Sequence, residues 1–315
     1  MSSDSNRAME SIFSVDVEDW FHILDIPTAP PVTEWSSVPS RVESNFRRLL
    51  DLFGRKGVRV TCFFLGWIAE RYPHLVKEAI SQGHEIASHG YAHRLVYEMT
   101  AAEFREDALR SRKLLEDISS CPVQGYRAAG FSTTEKTPWF FDELAAAGYS
   151  YDSSVFPARH GHGGMHGTLR VPHVENSGQS AIVEFPIAVA DFVGVPMCFF
   201  GGGYLRLFPY WLICRMAQQV LKAGRPVLFY IHPREIDPLH PRLPMSLHRR
   251  FKTYVGLRRS EDTILRILNE FRFTTFQDFL ACHGHSLGTT EEPQPADTDS
   301  ALFALRTHSL KLSKR

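Results

Sequence analysis

Short apolar runs alternate along the chain with longer segments in which apolar residues recur every three or four positions. Residues 12–17 are apolar and β-prone, and the run ends in a burst of acid at Asp16, Glu18 and Asp19. Ser40 and Glu43 have the spacing of a capping box. Behind them Val42, Phe46, Leu49, Leu50 and Phe53 recur at helical spacing, until Gly54 and Gly57 stop the helix. Residues 58–65 are almost continuously apolar, as in a strand buried on both faces. The pattern then predicts a helix over 67–81 ended by Gly83, and a short strand over 84–87. A second capping box at Thr100 and Glu103 opens a helix continued by Phe104, Ala108, Leu115 and Ile118. Further strands are expected over 123–128, 150–155, 182–186 and 227–231, and helices over 134–147, 207–223 and 261–271. About six or seven strand–helix units result, which implies an α/β fold with parallel strands and right-handed crossovers. A doubly wound sheet and a closed barrel both satisfy the pattern. In either, chemistry gathers at the carboxyl ends of the strands.

Composition narrows the function classes. The 315 residues are 43% hydrophobic and 22% charged, with 35 Lys+Arg against 35 Asp+Glu. A zero net charge gives no electrostatic reason to expect a nucleic-acid partner. Five cysteines without a CxxC pair argue against a disulfide framework and against a thiolate zinc site. Residues 1–10 are polar and lack the apolar core of a secretory signal, and no stretch approaches the roughly 18 apolar residues of a membrane span. A cytoplasmic protein without a transmembrane segment is the expectation. The chain divides into a flexible N-terminus (1–11), one domain (12–283) and a polar tail (284–315), in which 301–311 could form a short helix.

The informative feature is where polar residues fall. Asp16, Glu18 and Asp19 end the first strand, and His89 and His93 follow the strand over 84–87. Arg127, Asp152 and His232 each end a later one. Parallel strands place all of them on one rim. On a helical turn the four-residue spacing puts His89 and His93 on one face, where two imidazoles can share a metal. The bland alternative is a pair of surface histidines. Three acids crowded at one buried strand end repel unless a cation sits among them. One could ligate that cation while another acts as general base, and strand alternation sets Asp16 and Glu18 on one side and Asp19 on the other. His232 is a candidate general acid, against the reading of a satisfied core histidine. Arg127 could orient a carboxylate or be an ordinary buried ion pair. Gly130 and Phe131 could offer backbone N–H groups to an oxyanion.

Together these residues resemble the polysaccharide deacetylases with a NodB-homology domain, carbohydrate esterases that adopt a distorted (β/α)7 barrel. The motifs are Ser14-Val-Asp16-Val-Glu18-Asp19-Trp20, Ser88-His89-Gly-Tyr-Ala-His93, Gly125-Tyr-Arg127-Ala-Ala-Gly130-Phe-Ser132, Tyr151-Asp152-Ser-Ser154 and Leu228-Phe-Tyr-Ile-His232-Pro233. Gly90 stands where the family has a hydroxyl residue, and Ala129 where it has proline. Gly201-Gly-Gly-Tyr204-Leu-Arg206 and His232-Pro-Arg-Glu235-Ile-Asp237-Pro238 are similar to the branch found with bacterial exopolysaccharide gene sets. The resemblance spans roughly residues 12–280 and identifies 12–283 as the deacetylase domain.

That resemblance implies a hydrolase that removes N-acetyl groups from an amino sugar of a glycan, or of a lipid- or nucleotide-linked precursor, and releases acetate. It implies one divalent metal ion, Zn2+ by its donor set, held by His89, His93 and a carboxylate that is either Asp19 or Glu18. Asp16 becomes the general base, with Glu18 as the alternative, Arg127 its orienting partner, His232 the acid and Asp152 the residue that orients His232. Gly130 and Phe131 would meet the oxyanion, and Trp20, Tyr204 and Arg206 the sugar. A lipid-linked substrate would place the protein near the inner membrane face. Cyclic-amide or small-amide hydrolysis is the nearest rival: a small closed pocket favours it, and an open groove lined by Trp20, Trp35 and Tyr204 favours a glycan. A non-catalytic glycan-binding protein would lack metal or acid residues that are present here.

Overall fold

The structure, a computed structural model, describes residues 10–165, 167–177, 180–284 and 287. Most of the expected flexible N-terminus and polar tail, including the helix over 301–311, lies outside the described residues. The first half runs β1 (Ser11–Val17), α1 (Val42–Lys56), β2 (Thr61–Phe64), α2 (Gly66–Arg71), α3 (Pro73–Ser81), β3 (Glu85–Ser88), α4 (Ala101–Ser119), β4 (Gly125–Tyr126), α5 (Phe140–Ala146) and β5 (Tyr151–Asp152). The second runs β6 (His173–Ser177), β7 (Ser180–Glu184), β8 (Ala190–Phe192), β9 (Val195–Met197), α6 (Gly202–Leu207), α7 (Tyr210–Lys222), β10 (Leu228–Ile231), α8 (Leu247–Tyr254), α9 (Leu257–Glu270), β11 (Phe273–Thr274) and α10 (Phe276–His283).

One sheet carries the fold, in the order β10-β1-β2-β3-β4-β5-β7-β6, with β11 also paired to β1. Every pairing is parallel except the β6–β7 hairpin at one edge. The sheet curls into a half-barrel, the distorted form of the expected α/β barrel: β10 and β6 are its edges and do not pair with each other among the described residues. β1 is buried along its whole length because helices cover one face and the curled interior the other. Phe13, Phe63 and Phe64 are completely buried, and each contributes roughly 1.5–3 kcal/mol of burial. Among the described residues no helix is long and apolar enough to cross a membrane, and all five cysteines are free.

Several expected elements differ, each for a local reason. Ser40 and Glu43 do not cap α1: Ser40 donates instead to the Asp19 carboxylate at 2.5 Å, and Arg41 is the N-cap residue. The hydroxyl oxygen still accepts from Val42 N–H at 3.4 Å, but the Asp19 carboxylate takes that N–H at 3.3 Å and the N–H of Arg41 at 3.0 Å, and so serves the helix start in its place. The helix expected over 67–81 splits into α2 and α3 because Pro73 forces Tyr72 out of helical geometry, to φ −128°, ψ 59°. Pro209 likewise separates α6 from α7, so the helix expected over 207–223 begins at Tyr210. The helix expected over 134–147 shrinks to α5, behind turns that contain Pro138. The box at Thr100 and Glu103 does form, with both reciprocal bonds.

Candidate active site and metal centre

The end of β1 and the turn after it decide which acids meet. Ser14 and Asp16 point from β1 into the curled interior, where Arg127, fully buried just beyond β4, fills the space between strands. Its Nη1 donates to Asp16 Oδ1 at 2.7 Å and to Ser14 Oγ at 2.8 Å. Its Nε and Nη2 donate to the carbonyl and hydroxyl of Ser153, each at 3.2 Å. The guanidinium also lies over the Phe63 ring at 4.1 Å from its centroid. Asp16 is therefore held in one orientation by a partner that is itself fixed on several sides.

Beyond Asp16 the chain turns, with Glu18 N–H donating to the Asp16 carbonyl at 2.9 Å. Glu18 Oε1 lies 3.3 Å from His89 Nε2 and 3.1 Å from His93 Nε2. Ligand atoms of these three buried residues fall within 4.8 Å of one another. The two histidines meet through a loop rather than along a helical turn, which corrects the geometry their spacing implied. The loop needs left-handed backbone at Gly90 (φ 72°) and at His93 (φ 53°). A Cβ on Gly90 would stand 3.0 Å from Asp107 Oδ2 and 3.3 Å from the Tyr126 hydroxyl, so this loop has room for glycine where a hydroxyl residue was the expected type. Backbone N–H groups at the start of α2 clamp the loop: Gly66 donates to the Gly90 carbonyl at 2.8 Å and Trp67 to that of Tyr91 at 3.0 Å.

The donor set fits a divalent cation. His89 Nδ1 contacts the Arg127 carbonyl at 2.7 Å, so the ring carries its proton there and turns the lone pair of Nε2 toward Glu18. His93 Nε2 is buried without a hydrogen bond of acceptable geometry although it faces Glu18. Burial pushes the Glu18 carboxyl up, but the neighbouring His93 and His232 outweigh it and hold the group well below the usual carboxylate range. Burial drives the His93 ring toward its neutral, metal-binding form. Two imidazoles and one carboxylate leave coordination positions open, as a catalytic site requires.

His232 follows β10 and completes the cluster. Its Nε2 lies 3.5 Å from Glu18 Oε1 and 3.9 Å from Asp16 Oδ2. Its Nδ1 faces Glu235 Oε1 at 3.4 Å, and Glu235 lies 3.7 Å from the Arg206 Nε. Glu18 and Glu235 raise the His232 pKa against the opposing effect of burial. Tyr204 and Arg206 stand on the same cavity wall.

Four expectations need correction. Asp19 is not among the residues that converge on the histidines: it points outward and accepts N–H bonds from Arg41, Val42 and Trp20, so Glu18 is the carboxylate at the centre. Trp20 does not line the cavity. It packs with Phe21 and Trp35, and its Nε1 donates to the Pro39 carbonyl at 3.0 Å. Asp152 does not reach His232. It is buried against Ser154 and Glu184 with a raised pKa, and Glu235 takes the place beside the histidine. Gly130 and Phe131 line the cavity, but the Phe131 N–H already donates to the Ala128 carbonyl at 3.1 Å. Sequence reading also passed over His22, His160, His162, Arg234, Arg249 and Lys252, all of which line the cavity. Only Arg234 and Glu235 had a signal, lying in the motif that holds His232. The cavity measures about 290 Å³, near the lower end of ligand pockets.

Comparison with known proteins bears on the fold that carries this site. Residues 35–151 match the family model for polysaccharide deacetylase, and residues 153–281 match a domain of unknown function, DUF3473. A peptidoglycan deacetylase of Helicobacter pylori is 30% identical over 113 residues, which is 36% of this chain and 38% of that one. A peptidoglycan-N-acetylglucosamine deacetylase of Bacillus cereus is 29% identical over 72 residues, 23% of this chain and 26% of the relative. The matches thus span well under half the length of these curated relatives. Among solved structures, a protein described as a polysaccharide deacetylase from Mycobacterium smegmatis superposes with a TM-score of 0.61 at 20% identity, covering 94% of this chain and 97% of that one. An allantoinase superposes at 0.56 with 18% identity, covering 87% and 90%. Residues 35–151 of the chain thus match the polysaccharide deacetylase family, and its half-barrel fold is shared with the solved structures.

Proposed function

We propose that the protein is a metal-dependent hydrolase that removes the N-acetyl group from an amino sugar of a glycan or glycan precursor. One observation carries this reading: the buried Glu18–His89–His93 cluster stands within 4 Å of both His232 and, through it, the Asp16–Arg127 pair. His89, His93 and Glu18 would hold a divalent cation, and the donor set suits Zn2+. Such an ion supplies Lewis acidity to the acetamide carbonyl. Asp16, fixed by Arg127, takes a proton from the attacking water. His232 gives a proton to the departing nitrogen as the C–N bond breaks, leaving acetate and a free amine. Glu235 holds the His232 ring through Nδ1, which keeps Nε2 aimed at the reacting atoms. The peptidoglycan-directed names of the two relatives support an N-acetylated glycan.

A second reading, small-amide hydrolysis, draws on the modest cavity and on the withdrawal of Trp20 and Trp35 from it. Acetate release from N-acetylated oligosaccharides and from lipid- or nucleotide-linked amino sugars separates the two. It is measured on metal-stripped protein, after zinc is restored, and with His89→Ala. Acetate that depends on metal and disappears in the variant supports the deacetylase. A zinc-loaded chain that hydrolyses small cyclic amides and no acetylated sugar moves the assignment to the second reading.

A further inference from the structure

Part of the cavity wall beyond His232 is built from cations. Arg206 comes from α6, Arg234 from the turn after β10, and Arg249 and Lys252 from α8. Each cavity carboxylate is already engaged: Asp16 with Arg127, Glu18 with the two ligand histidines, Glu235 with His232 and Arg206. Arg234 and Lys252 have no carboxylate at ion-pair distance among the described residues. Arg249 reaches only Asp25, at 3.9 Å, besides the Leu24 carbonyl at 2.6 Å.

Hydrogen-bonding capacity is left over in the same place. Buried Nη1 of Arg234, Nε of Arg249 and Nε of Arg206 all lack a hydrogen-bond acceptor, and Arg206 is nine-tenths buried. Eight of the twelve buried side-chain N or O atoms without a hydrogen-bond partner among the described residues belong to residues that line this cavity, and three of the eight are guanidinium donors. Native interiors rarely leave buried donors unmet, and guanidinium groups are matched best by oxyanions. Packing does not account for α8, which buries none of its residues and leaves Phe251 57% exposed. The concentration is local, since the chain as a whole is neutral.

We propose that this wall is an oxyanion subsite, so that the amino sugar acted on carries a phosphoryl or carboxylate group beside the acetamide. The inference rests on the deacetylase reading and deepens it. Oxygen atoms of the anion would accept from Arg234, Arg249 and Lys252 while the acetamide faces the metal centre.

The test compares kcat/KM for acetate release from three substrates: a neutral N-acetylglucosamine oligomer, nucleoside-diphosphate-linked N-acetylglucosamine, and an oligomer alternating N-acetylglucosamine with a uronic acid. An anionic substrate should be preferred about tenfold or more. That ratio should fall toward one in the double variant Arg249→Gln/Lys252→Gln and as salt is raised. Preference for the diphosphate identifies a phosphoryl source, and preference for the uronate a carboxylate. Equal kcat/KM for all three, or a preference the double variant retains, overturns the subsite and leaves the deacetylase standing. If no substrate releases acetate, the deacetylase fails, and calorimetry with inorganic pyrophosphate on metal-depleted protein still decides. Binding weakened about tenfold by the double substitution sustains the subsite, and no binding ends it. Both residues lie on a helix with no fully buried residue, so the variants should fold.

Discussion

Asp16, Glu18 and Asp19 show how far single residues could be read. Alternation set Asp16 and Glu18 on one side and Asp19 on the other without deciding which acid meets the histidines; β1 ends at Val17, and the turn after it brings Glu18 to them while Asp19 is buried against the start of α1. Asp152 misled because its position at a strand end resembles the others, yet Ser154 and Glu184 enclose it before it can reach the rim. Glu235 was invisible as a partner because a 3₁₀ turn, Pro233–Ile236, folds it back onto His232. Arg127 carries the strongest residue-level expectation. Arg127→Gln strands the Asp16 carboxylate in the interior, which should cost about 3–5 kcal/mol in denaturant unfolding near pH 7. It should also lower kcat/KM on the order of 10²-fold or more as the base loses its orientation. Glu85 gives a pH expectation away from the site. Thr61 and Tyr151 donate to its carboxylate, but burial dominates and lifts its pKa from 4.5 to about 7. Between those values the folded state keeps a proton that the unfolded chain releases. Stability contributed by this group is therefore complete below pH 4.5 and falls as pH rises to 7, by about 3 kcal/mol at most. Glu85→Gln should flatten the difference in melting temperature between pH 5 and pH 8. An unchanged slope would remove Glu85 as its source.

At the scale of elements, periodic apolar spacing located the helices that press on the sheet, and proline decided where they broke. α8 was not expected although Leu247, Phe251 and Tyr254 recur at helical spacing, because the stripe spans only eight residues and stays exposed or half-buried. The β8–β9 hairpin was hidden for the same reason, as its described positions are mostly exposed or half-buried. The capping box of α4 was legible because its two bonds are local in sequence. Thr100→Ala removes the hydroxyl that accepts from Glu103 N–H and should destabilise the protein by about 1 kcal/mol. That corresponds to a fall of about 2–4 °C in melting temperature by calorimetry, with acetate release unaffected at 25 °C.

The whole molecule joins two stretches that family matching treats separately. The matches meet at residues 151–153, within or beside β5, yet the sheet runs through the junction from β5 to β7. The cavity takes its Glu18–His89–His93 cluster from the N-terminal part of the chain, and His232 and the cationic wall from the C-terminal part. This closure was not legible in sequence, because strand order depends on pairings between distant segments. A fragment of residues 1–151 lacks both β10 and β11, the late partners of β1. It should show no cooperative unfolding transition, and a sharp calorimetric peak would disprove that dependence. The same pairing has a consequence for synthesis. Ser14 bonds the Phe229 carbonyl across 215 residues, an interval that takes a ribosome on the order of 10–40 s to make at about 5–20 residues per second. Throughout that interval β1, which is buried along its whole length in the finished sheet, waits with an unpaired edge, which makes it a segment in need of a chaperone.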